Sequence, residues 1–141
     1  MKNRCQKLLY AAAAMLLLLA AGILLLRKKP EKQANQAIIL HTPQMCEAWL
    51  NLRGWRVEAP QITQTRMPMN WQTEAGQRWL SLQLQQGFDP AAYAGKPAER
   101  YVFPVCNAPG SNYRAELLLC EGALAAAVIY DAETQAMQVI C

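Results

Sequence analysis

Apolar and polar positions follow three different rhythms along this chain. From Leu8 to Leu26 the run LLYAAAAMLLLLAAGILLL holds nineteen residues without a charge. At about 1.5 Å per residue it would span roughly 28 Å as a helix, close to the hydrocarbon thickness of a bilayer. Residues 27–41, RKKPEKQANQAIILH, then turn polar, and Pro30 ends any continuing helix, so this stretch reads as a tether. A helical rhythm follows. Thr42 is a good N-cap with Pro43 behind it, and MCEAWLNLR runs to Gly54, which predicts helix one over 43–53. Asn70 can cap a second helix over 71–86, in which Trp71, Ala75, Trp79 and Leu82 fall near one stripe and Gly87-Phe88 closes the end. Between the helices, Trp55 to Pro68 has Val57, Ile62 and several threonines but also Pro60, and so predicts an irregular or edge strand.

The last third has a period of two. Tyr101, Phe103 and Val105 alternate with Val102 and Pro104, and Tyr113–Leu119 and Leu124–Tyr130 flank Glu121-Gly122. With those two residues as the turn, Leu119 faces Leu124, Leu117 faces Ala126, Ala115 faces Val128 and Tyr113 faces Tyr130. A final strand is predicted over 136–141. The expected fold class is α+β: an N-terminal transmembrane helix, then two helices packed on the apolar face of an antiparallel sheet of about four strands. The expected organisation is a cytoplasmic tail at 1–7, a transmembrane anchor at 8–26, a tether at 27–41 and an extracytoplasmic domain at 42–141.

Charge sharpens this division. The net +4 of the 141 residues is a sum over unlike parts: residues 1–32 hold seven basic side chains and one acidic, and residues 33–141 hold seven basic and nine acidic. The positive charge brackets the apolar run, which points to the lipid bilayer as a partner, and the domain itself, at −2, is no binder of nucleic acid phosphates. Arg27-Lys28-Lys29 follows the apolar run where a cleavable signal would carry uncharged polar residues, so an uncleaved single-pass anchor is expected. Long domains translocate largely regardless of charge, which places the domain outside the cytoplasm.

Catalytic chemistry is sparse in this sequence. The single histidine, His41, lies in the tether, and there is no C-x-x-C or H-E-x-x-H spacing and no phosphate-cradling glycine loop. No enzyme activity, cofactor or metal is therefore expected. Cys46, Cys106, Cys120 and Cys141 could form two disulfides by any of three connectivities, or stand as small buried apolar residues. Trp49, Trp55, Trp71 and Trp79 supply core packing, or else an aromatic platform for a peptide or glycan. An exposed cleft between helix two and the sheet would separate the two readings.

The run Gln83-Leu84-Gln85-Gln86-Gly87-Phe88-Asp89, with Tyr93, Gly95-Lys96, Arg100-Tyr101, Leu117-Leu118 and Gly122, and the earlier Gly54-Trp55-Arg56-Val57, resembles the bacterial family called domain of unknown function 4830. These are small Firmicutes proteins that often carry an N-terminal membrane segment. The similarity spans about 45–141, and QGFD-x-x-x-Y-x-G-K is its most specific part. The resemblance implies an α+β domain with an envelope address and implies no activity. This chain has Trp79-Leu80 where the family tends to have Tyr-Asn, and Ala125-Ala126-Ala127 where the family tends to have Gly-Gly-Asp, so the acidic residue most suggestive of a family site is missing. Within the motif, Asp89, Tyr93, Lys96 and Arg100, joined by Trp79, are candidate ligand-binding residues. Caps and turns account for the same types, with Asp89 as an N-cap before Pro90 and Gly95 as a turn. The expected function is a non-catalytic interaction or sensing domain, with an unknown envelope protein or ligand as partner. The alternative is an envelope domain that binds peptide or glycan in an aromatic cleft.

Overall fold

In the computed structural model, which describes residues 36–140, the punctuation of the first helix acts as its side chains dictate. The Thr42 hydroxyl accepts from the Met45 N–H at 3.2 Å, and Pro43 opens α1 (Pro43–Asn51). Gly54 at φ +86° ends it, with the Trp55 N–H returning to the Leu50 carbonyl at 3.2 Å. The chain then passes through β1 (Gln61–Arg66), α2 (Glu74–Gln85) and a short 3₁₀ turn (Pro90–Tyr93). The strands β2 (Pro97–Pro104), β3 (Tyr113–Cys120), β4 (Ala123–Asp131) and β5 (Met137–Gln138) complete the fold.

The sheet is an antiparallel meander in the order β1-β2-β3-β4-β5. This architecture corrects the expected one. The sheet has five strands and not about four, because Gln61–Arg66 pairs with β2 along its whole length as a regular, fully exposed edge strand. Among the described residues no helix is long and apolar enough to cross a membrane. The expected anchor at 8–26 lies outside the described residues, as do Cys5 and Cys141. The helices also take different positions from those predicted. Cys46, Trp49 and Leu50 of α1 pack with Tyr101, Phe103, Ala115, Leu117 and Ile129 on one face. Trp79 of α2 packs with Met67, Ala98, Leu118, Cys120 and Ala126 in a separate cluster on the other. Both faces are apolar, so the middle of β4, Leu124 to Ile129, is buried throughout.

That continuous burial explains a register correction. Glu121 and Gly122 form the two-residue turn, at φ +51° and +80°, and Leu119 faces Leu124 as predicted. A bulge at Leu118/Leu119 then leaves Ala125 unpaired, so Leu118 faces Ala126, Leu117 faces Ala127, Ala115 faces Ile129 and Tyr113 faces Asp131. Each pair below the turn is one residue away from the alternating prediction. Gly122 is favoured by its positive φ, and a Cβ there would in addition push aside the exposed His41 imidazole, whose Nδ1 would lie 2.6 Å away.

The outer edge of β4 is closed by three unlike pieces of chain. Near the turn, the Leu124 N–H donates to Ile38 O at 2.8 Å, and the Leu40 N–H donates to Gly122 O at 2.7 Å. Two residues of β5 pair with Ile129 and Tyr130. Between these, the side chains of Gln83 in α2 and of Gln86, its C-cap residue, take the place of a strand. Gln83 Oε1 accepts from the Ala127 N–H at 2.8 Å, Gln86 Nε2 donates to Ala127 O at 2.9 Å, and Gln86 Oε1 accepts from the Ile140 N–H at 2.8 Å. A buried backbone edge needs such partners. These bonds fix where α2 lies, and α2 in turn positions the cleft.

Candidate ligand-binding cleft

The second helix begins three residues later than its apolar stripe suggests. Thr73 is the cap, its hydroxyl accepting from the Gly76 N–H at 3.0 Å, and α2 starts at Glu74. Trp71 therefore stands ahead of the helix and not on it. Gly76 permits this approach, since a Cβ there would come 3.0 Å from Thr73 Oγ1 and 3.4 Å from the Trp71 Cα. The Trp71 ring lies parallel to that of Trp79, 7° apart in plane with centroids at 6.2 Å, an offset stack. Both indoles are half-buried, and Trp71 Nε1 has no hydrogen-bond partner.

Across from this aromatic wall the sheet presents a charged pair. Register places Glu116 opposite Val102, and so diagonal to Arg100 on the same face. Arg100 Nε donates to Glu116 Oε2 at 2.9 Å, and Nη2 of the same guanidinium donates to the same oxygen. The Arg100 side chain is 40% exposed and that of Glu116 16%. The bond to Glu116 raises the guanidinium's pKa, and the pair is internally neutral. Trp71, Trp79, Arg100 and Glu116, with Thr65, Arg66 and Leu118, line a cavity of about 330 Å³ between α2 and the sheet. That is near the lower end of volumes that hold small ligands, roughly 300–1,000 Å³. A flat apolar wall facing fixed polar groups can bind and orient a ligand.

Of the residues singled out in the sequence, Trp79 and Arg100 meet in this cleft. Tyr93 is half-buried against the cluster around Met67 and Cys120, with the Lys96 ammonium 5.4 Å from its ring centroid. Lys96 lines a different cavity of about 450 Å³ with Gln64, Glu99 and Glu121. Asp89 is exposed and joins neither; it precedes the 3₁₀ turn, but its side chain makes no cap bond, and only its carbonyl accepts, from the Ala92 N–H at 3.1 Å. The other two tryptophans belong to the opposite face. Trp49 is buried beneath the Arg53 guanidinium at 3.8 Å, and Trp55 Nε1 donates to Ile140 O at 2.7 Å. Cys46, Cys106 and Cys120 are free thiols, and Cys46 and Cys120 pack on opposite faces of the sheet.

Glu116, Thr65 and Arg66 are polar members of the cleft that the sequence left unmarked as a site. Glu116 reads as a solvated strand position until the β2–β3 register sets it beside Arg100. Thr65 is visible only as a β-favouring residue. No family model matches this chain, no curated protein matches it, and no solved structure matches it.

Proposed function

We propose that the domain is a non-catalytic binding module that takes a peptide or glycan ligand in the cleft between α2 and the sheet. One observation carries this reading: Trp71 and Trp79 stand parallel and half-buried on one wall of a cavity whose other wall holds Arg100 and Glu116. Trp49, on the opposite face, is by contrast buried. Two of the three described thiols are poor nucleophiles. Burial pushes the Cys46 thiol up to about 11, and burial raises Cys120 as well, so both stay protonated and unreactive at neutral pH.

The test is to probe peptide and glycan arrays with the full chain. A ligand of one class should bind the wild type, and Trp79→Ala should weaken it roughly thirtyfold, the loss typical of a truncated aromatic anchor. Trp55→Phe, on the opposite face, should leave binding unchanged. No binding from either array, or equal binding by Trp79→Ala, overturns the reading. We further propose the address read from the sequence, a domain outside the cytoplasm. A reporter active only outside the cytoplasm, fused after Cys141, should be active, and silence would overturn that address.

A further inference from the structure

Resting on the cleft reading, we infer that the ligand class is a neutral saccharide, bound by stacking one face of a pyranose ring on the Trp71–Trp79 wall with its hydroxyls toward Arg100, Glu116 and Thr65. The two indoles are parallel to within 7° in an offset stack, and both line the cavity. An exposed indole face is complementary to the C–H face of a sugar ring. The polar side of the cavity is mixed in character. Arg100 Nε and Nη2 both donate to Glu116 Oε2, which leaves Oε1 able to accept, and the Thr65 hydroxyl on the same lining can both donate and accept. Hydroxyl groups both donate and accept, so one ring can meet this set.

The same geometry disfavours the other chemistries. A cation would compete for Glu116 with Arg100 and meet Arg66 beside it, and an anion drawn to the two guanidiniums would meet the Glu116 carboxylate that already engages Arg100. An apolar peptide side chain would fill the cavity but bury the remaining donors and acceptors without partners, which costs more than leaving them in water. Near 330 Å³, the space suits one or two rings and not a long chain lying across the sheet.

The experiment uses the full-length chain and reads tryptophan emission and equilibrium binding. The probes are three neutral trisaccharides, maltotriose, cellotriose and tri-N-acetylglucosamine, and two peptides, one proline-rich and one rich in tyrosine and leucine. At least one trisaccharide should shift the emission and bind. Trp79→Ala should then bind roughly thirtyfold more weakly, and Thr65→Val and Glu116→Gln about tenfold more weakly, with far-ultraviolet circular dichroism of all three unchanged from wild type. Should Glu116→Gln alter that spectrum, Thr65→Val alone decides the contribution of the polar wall. Binding of a peptide but of no trisaccharide overturns the saccharide assignment and leaves the cleft reading standing. A wild type whose emission responds to none of the five probes overturns the saccharide assignment as well. Trisaccharide binding that Trp79→Ala leaves intact overturns both.

Discussion

Replacing Gln83 by alanine should destabilise the domain by about 3 kcal/mol, measured as a shift in urea midpoint at constant slope. Gln83 is fully buried, and its Oε1 is the acceptor for the Ala127 N–H on an edge of β4 that no strand covers at this point. Alanine removes that acceptor and opens a cavity beside a strand buried on both faces. The two costs can be separated. Gln83→Met keeps the volume and loses only the amide, and because Gln83 Nε2 is itself buried without a partner, the change relieves one unpaired group while creating another. It should cost about 1 kcal/mol. Equal losses in the two variants would show that packing contributes nothing beyond the bond, and no loss in Gln83→Ala would overturn the edge-closing role of α2. Gln86→Ala breaks two bonds of the same clamp, to Ala127 O and from the Ile140 N–H. Its effect should couple to that of Gln83→Ala, since both side chains hold one residue of β4.

These two glutamines show where sequence reading stops. Both stand in the stretch that carries the family resemblance, but no periodicity marks them as buried, because their burial depends on the uncovered edge of β4. Helix ends are more legible, since they are written in single residues: Thr42-Pro43, Gly54 and Gly87-Phe88 each punctuate a helix as expected. The start of α2 was misplaced because Trp71, Ala75 and Trp79 mimic a helical stripe, and that stripe outweighed the local signal of Thr73 before Glu74. The difference matters for function. On a helix, Trp71 would point along one face in series with Trp79, whereas ahead of the helix it folds back and stacks.

The β3–β4 register failed for a related reason. Alternation sets register only where one face is polar. From Leu124 to Ile129 every residue is apolar, so a one-residue bulge at Ala125 leaves no trace in the pattern. Half of the cleft shares this fate. Trp79 and Arg100 were separately visible as unusual residues, but the pairing of Arg100 with Glu116 is a property of the β2–β3 register. What decides a binding site here is which polar residues meet across strands, and that information is distributed over sixteen residues of chain.

High pH should destabilise the domain across two overlapping windows that belong to the α1 face of the sheet. Cys46 is fully buried, and burial, reinforced by the Glu99 carboxylate, pushes its thiol from 9.0 up to about 11. Tyr101, also buried, is pushed from 10.0 up to about 12, first by burial and then by donating its hydroxyl to Glu99 Oε2 at 3.1 Å. In both cases the folded state holds the proton more tightly than the unfolded chain. The stabilisation is therefore complete below the unfolded value and lost as the pH rises through the folded one. For Cys46 that window runs from 9.0 to about 11, and for Tyr101 from 10.0 to about 12. Two units correspond to roughly 2–3 kcal/mol for each group, although the shared Glu99 makes the two less than additive. The measurement is urea stability against pH for wild type, Cys46→Ala and Tyr101→Phe. Cys46→Ala should lose the earlier part of the alkaline decline and Tyr101→Phe the later part, each relative to its own stability at neutral pH. Curves that stay parallel to wild type across both windows would show that neither group titrates with unfolding. Glu99→Gln removes the charge that both acids face, so each ionises more easily in the folded state and the gap between its folded and unfolded values narrows; both declines should begin at the same pH, end at lower pH and be smaller than in wild type.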